Sequence, residues 1–105
     1  MSDDIAPDRN LALEAVRATE AAAIAAARFL GSGDERAADQ AAVSAMHRAI
    51  EKFQVDGTVR IGESDANDGK LSVGQRVGTK IGPRADIALV AIEGPSIVAR
   101  GGYNA

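Results

Sequence analysis

Few side chains in this sequence have the types and spacing that chemistry needs. Cysteine is absent, which excludes thiolate metal sites, disulfides and cysteine nucleophiles. His47 is the single histidine. It falls on the polar side of a helical pattern, reads as a solvated residue, and leaves no Ser-His-Asp set to assemble. Gly74-Gln75-Arg76-Val77-Gly78 lacks the spacing and the following helix of a nucleotide loop. Arg9, Arg17 and Arg28 read as solvated or partner-contacting. What remains is carboxylate, fifteen Asp and Glu side chains in all. Among them, Asp39 shares a helix face with Val43 and Met46 and so turns toward the core side, Glu63 closes Ile61-Gly62-Glu63, and Glu93 lies within Val90-Ala91-Ile92-Glu93-Gly94-Pro95. Hard cations such as Mg²⁺ take oxygen ligands of this kind. On residues alone the plainer reading is structural, with Asp39 capping or solvating near a helix start and Glu63 a loop carboxylate. Were the three acids to converge, their like charges would require a cation, a protonated carboxyl or a water-filled gap.

The elements that must position these groups can be read from periodicity. Residues 1–8 read as a flexible N-terminal arm, with Asp8 as the cap of a helix from Arg9 to Leu30, a stretch free of Gly and Pro. Leu13, Val16, Ala23, Ala27 and Leu30 form its apolar stripe. Gly31-Ser32-Gly33 ends it, and a second helix runs from about Asp34 to Phe53 with Val43, Met46, Ile50 and Phe53 inward. The short connection makes an antiparallel hairpin. After Asp56-Gly57 the period changes: Thr58–Ile61 reads as a strand, Leu71–Val73 as a weaker one, and Asp86–Ile92 as a central strand apolar on both faces. Ile97–Ala99 adds a short strand or a turn, and residues 101–105 read as a C-terminal tail. The expected fold class is α+β: an N-terminal antiparallel helical hairpin packed on a small partial β-sheet, a single domain over residues 9–100. One helical layer cannot cover both faces of such a sheet, so a second face and at least one edge are left exposed unless a partner covers them.

Composition narrows the partners. The 105 residues carry 22 alanines and three aromatics (Phe29, Phe53, Tyr103), so the core is made of small pieces. A domain this small buries about two-thirds of its unfolded surface and gains from docking on something larger. The net charge of −3 argues against nucleic acid. The acidic start Met1-Ser2-Asp3-Asp4 is no signal peptide. The longest apolar run, Ala21–Ala27, is too short for direct membrane insertion.

Several short segments point further: Thr19-Glu20-Ala21-Ala22-Ala23, Gly31-Ser32-Gly33-Asp34, Ala38-Asp39-Gln40-Ala41-Ala42, Asp56-Gly57-Thr58, Ile61-Gly62-Glu63 and Val77-Gly78-Thr79. In this order they resemble the N-terminal portion of class II fructose-1,6-bisphosphatase, the GlpX type, a metal-dependent sugar phosphatase in the larger group that includes inositol monophosphatase. The resemblance runs from about Arg9 to Ala105 and implies a truncated sugar-phosphatase fold. It also implies metal-ligand roles for Asp39, on a helix, and Glu63, at the end of Ile-Gly-Glu. The family's Asp-Pro-Ile-(Asp/Glu)-Gly-Thr signature, whose acids bind metal and whose Gly-Thr cradles phosphate, corresponds to Val90–Pro95. Glu93 remains an acid. Val90 removes a metal ligand, and Pro95 removes both a hydroxyl and an N–H donor. The acidic loop after Glu63 is rewritten as Ser64-Asp65-Ala66-Asn67-Asp68, one residue shorter. Two-metal phosphoryl transfer depends on positioned ions and donors.

The resemblance therefore implies a degenerate phosphatase fragment, a pseudoenzyme with no catalytic, metal or cofactor-binding residues and no cofactor. Short stand-alone chains of this kind are identified with an accessory, supernumerary subunit of respiratory complex I (NADH:quinone oxidoreductase) in some alphaproteobacteria, and this chain resembles that class. Its expected partners are hydrophilic-arm subunits, its role assembly or stability, and its place the cytoplasm, at the cytoplasmic side of the inner membrane through the host complex. Two alternatives stand beside this: a regulatory protein that binds a sugar phosphate or modulates a phosphatase, and a residual metal-dependent phosphatase using Asp39, Glu63 and Glu93.

Overall fold

A computed structural model describes residues 6–63 and 69–101. Helix α1 spans Ala6–Ala27. It begins earlier than Asp8 because Pro7 is tolerated in a first helical turn, where its missing N–H is not needed. Asp8 therefore lies inside the helix and does not cap it. Positive φ at Gly31 and Gly33 then turns the chain. Helix α2, Glu35–Ile50, is capped by Asp34, whose carboxylate accepts the Ala37 N–H at 3.0 Å. It ends at Ile50, and residues 51–53 continue as a turn.

The two helices pack as the expected antiparallel hairpin, but through a different face of α1. Ala18, Ala22 and Ala26 are buried, while Leu13, Val16 and Leu30 are exposed. Alanines at i, i+4 and i+8 stand one above the other on a single face. They let α2 approach through its own Ala38, Ala42 and Ala45, all buried. Bulky aliphatic side chains in that seam would hold the helices apart. On an adjacent face of α2, Val43, Met46 and Ile50 are buried, joining Phe53, Val55, Val59, Leu71 and Val77 in the core.

The sheet has three strands, β1 (Asp56–Ile61), β2 (Arg76–Val77) and β3 (Arg84–Ala88), in the order β2-β1-β3. β1 pairs antiparallel with β2 and parallel with β3, with an irregularity between Val59 and Ile61. The fold is α+β, two helices against a small mixed sheet. β1 is the central strand, with Gly57 and Val59 buried and Arg60 exposed. The expectation of a central strand at 86–92 is corrected: β3 is an edge, shorter than expected, with Ile87 and Leu89 half-buried and Asp86, Ala88 and Val90 exposed. Its outer face is partly polar, since Asp86 pairs there with Arg60 at 3.1 Å. Two further expectations change. Leu71–Val73 forms no strand, only an isolated bridge between Ser72 and Glu63, and β2 lies at 76–77 instead. Ile97–Ala99 belongs to helix α3, Pro95–Arg100. Its carbonyls at Val98 and Ala99 accept the Gly31 and Gly33 N–H groups at 2.9 and 2.7 Å, so the turn between α1 and α2 satisfies the end of α3.

Candidate functional site

β1 and β3 run parallel, and their C-terminal ends bring two stretches of interest together. In open sheets with parallel strands, ligands bind in the crevice beyond those ends. Past β1, Gly62 has its backbone against the 71–72 turn: a Cβ there would collide with the Leu71 carbonyl oxygen and come to 2.5 Å from Val59 Cγ1. Only glycine lets the chain pass, and Glu63 follows with its N–H donating to the Leu71 carbonyl at 2.8 Å. Its carboxylate then reaches the loop beyond β3, where Oε2 accepts the Ala91 N–H at 3.1 Å. The family signature has proline at the position of Ala91, and proline has no N–H to give. This chain supplies a donor there and directs it onto the carboxylate.

The other expected residues are placed as follows. Val90 is 62% exposed beside the loop and offers no oxygen. Glu93 is exposed, one residue before Gly94, which has φ +81° and whose carbonyl accepts the Val98 N–H at 3.2 Å as α3 begins. Asp39 is half-buried in the first half of α2, between the core side chains Val43 and Met46 in helical order. The 64–68 segment, expected to be a rewritten acidic loop, lies outside the described residues. Among the described residues, no three His, Cys, Asp or Glu side chains come together in a group that could hold a metal ion. Among the described residues the donor set is short of a two-metal centre, since an isopropyl group stands where the signature places an aspartate.

His47 departs from the solvated reading. Its side chain is only 22% exposed, with Nε2 at 3.3 Å from Glu51 Oε1 and 3.5 Å from Gln75 Nε2. Gln75 Oε1 in turn accepts the N–H of Leu71. Leu71 is fully buried and adopts φ +58°, rare for a bulky residue. Lys70 Nζ donates to Ser44 Oγ at 3.3 Å, so α2 fastens the 69–75 turn at two points, and that turn carries the carbonyl that positions Glu63. Of this arrangement, the sequence showed Ile61-Gly62-Glu63 and the exchanges at Val90 and Pro95. The His47–Gln75–Leu71 connection has no local signature, because it joins residues 28 positions apart.

Comparison with known proteins places this geometry in context. The family model for bacterial fructose-1,6-bisphosphatase, glpX-encoded, matches residues 9–105. The chain is 44% identical over 98 residues to fructose-1,6-bisphosphatase 1 class 2 of Escherichia coli strain K12. It is equally similar to the class 2 enzymes of Escherichia coli O6:H1 and Shigella flexneri. Each alignment covers 92% of this chain and 29% of the relative, so the chain spans less than a third of their length. These findings overturn the reading as a supernumerary pseudoenzyme subunit of respiratory complex I: family and relatives alike are phosphatases. Among the described residues no helix is long and apolar enough to cross a membrane.

Proposed function

The chain belongs to the family of bacterial, glpX-encoded fructose-1,6-bisphosphatases, and on that footing we propose that it provides the N-terminal part of a sugar-phosphate phosphatase site without completing that site by itself. The observation that carries this reading is the Ala91 N–H to Glu63 hydrogen bond. It joins the Ile-Gly-Glu carboxylate to the signature loop at the C-terminal ends of parallel strands, where a phosphate-bearing ligand belongs. The substrate class follows from the relatives' name, fructose-1,6-bisphosphatase. In the family, metal ions held by carboxylates would activate water and neutralise the charge of the departing phosphate. In this chain Val90 and Pro95 leave that set of ligands and phosphate donors short, so hydrolysis requires donors from outside the described residues.

Two measurements test this. Phosphate release from fructose 1,6-bisphosphate in Mn²⁺ or Mg²⁺ is expected to stay at the buffer rate; turnover that Asp39→Ala abolishes overturns the claim of incompleteness. Calorimetric titration with Mn²⁺ then compares the chain with the triple variant Val90→Asp, Ala91→Pro, Pro95→Thr. The variant is expected to bind Mn²⁺ about tenfold or more tightly, the scale on which groups around a metal tune affinity. Unchanged affinity in a folded variant overturns the assignment of the site to Glu63 and the 90–95 loop.

A further inference from the structure

One ring nitrogen of His47 faces two groups that make opposite demands on it. Gln75 Oε1 accepts the Leu71 N–H. That bond fixes the orientation of the Gln75 amide, so its NH₂ end is the one turned to His47, with the two Nε2 atoms 3.5 Å apart. An amide nitrogen donates only, so His47 Nε2 has to accept from it, which requires the neutral imidazole with its proton on Nδ1. Glu51 Oε1 stands 3.3 Å from the same His47 nitrogen. A carboxylate accepts only, so this contact requires a proton on Nε2. No single protonation state serves both neighbours: the neutral ring suits Gln75 and the imidazolium suits Glu51.

We propose that His47 is a proton-operated latch on the 69–75 turn. While the ring is neutral it accepts from Gln75 and holds that amide on Leu71. As the pH falls through the histidine range, between about 8 and 5, Nε2–H turns to Glu51, the Gln75 NH₂ group meets another donor, and the hold on the Leu71 N–H loosens. Leu71 is fully buried at φ +58°, a conformation kept only where the surroundings enforce it. Its carbonyl accepts the Glu63 N–H at 2.8 Å, so the latch reaches the Ile-Gly-Glu carboxylate through the turn. The other charged groups near the ring are cations. Arg28 of α1, with Arg48 and Lys52 of α2 and the turn after it, lines the groove that His47 and Glu51 share. Lys70 of the 69–75 turn donates to Ser44 Oγ, and Arg76, next to Gln75, is paired with Asp56. Glu51 is the carboxylate at ion-pair distance, and it is the group that draws the proton. What the latch means for a phosphate-bearing ligand rests on the function proposed above; the latch itself does not.

Nuclear magnetic resonance of the full chain, titrated between about pH 8 and 5 with no metal or sugar phosphate present, tests the latch. The Leu71 and Glu63 backbone amides and the Gln75 side-chain amide are expected to follow one curve, with the midpoint of the His47 ring signals. Protection of the Leu71 amide from hydrogen exchange, taken relative to an unstructured peptide at each pH, is expected to fall about fivefold at the acid end, the scale of one hydrogen bond. His47→Gln, which stays uncharged, is expected to hold these signals flat. Leu71 and Gln75 signals that stay still while the His47 ring titrates overturn the proposal, and the wild-type titration decides this even if the variant does not fold. So does a response that survives His47→Gln, or Leu71 protection that rises with acid. Because neither Mn²⁺ nor substrate enters this experiment, its failure is distinct from a failure of the site assigned to Glu63 and the 90–95 loop.

Discussion

Gly62 and Glu63 show how one residue without a side chain controls one with chemistry. The close approach of Gly62 to the Leu71 carbonyl and Val59 is what lets the following N–H reach that carbonyl and the carboxylate reach Ala91. Gly62→Ala is therefore expected to lower stability by about 2–3 kcal/mol, the upper part of the range for overpacking where backbone must move. Urea denaturation reads that loss, and an unchanged transition midpoint would contradict it. The Ile-Gly-Glu string was legible in the sequence, and so was the altered 90–95 loop, through Val90 and Pro95. That the two meet was not legible, because the contact depends on the parallel register of two strands separated by more than twenty residues.

At the scale of elements, α2 is the member that organises the rest. One of its faces is the alanine run 38, 42, 45 and the other the larger Val43, Met46 and Ile50, all buried. It serves α1 with the first and the sheet with the second. The alanine face sets the distance between the helices, so Ala42→Leu is expected to force them apart and destabilise by about 1–3 kcal/mol. A thermal melt should show a lowered midpoint; an unchanged one would mean the seam has room. The hairpin itself could be read from spacing and from Gly31-Ser32-Gly33. The buried side of α1 could not, because the stripe of large aliphatics is an equally good helical pattern. Periodicity identifies an apolar face without saying which neighbour it meets. The same limit applies to β3: its apolar run matched a central strand, yet the register leaves it at the edge with its outer face carrying Asp86.

For the whole molecule, the connection that closes the fold runs from the hairpin turn to α3. Val98 and Ala99 are buried, and their carbonyls accept the Gly31 and Gly33 N–H groups. Removing the chain after Gly94 exposes that core and strands those donors. A loss of about 2–4 kcal/mol is expected from one buried valine and the hydrogen bonds, checked by comparing urea midpoints of the full and shortened chains. Only a midpoint that holds steady would show α3 to be dispensable. By itself the sequence determined the α+β class, the helical hairpin, the small-residue core and the kinship with a sugar-phosphatase family, since each is written in local spacing or in short ordered motifs. The tertiary structure alone decided which side of α1 is buried, that β1 and not β3 is central, that residues 95–100 form a helix, and that Glu63 is held by Ala91. Those outcomes depend on which distant segments share a surface, and hydrophobic burial, being non-directional, leaves that choice to the packing of the whole chain.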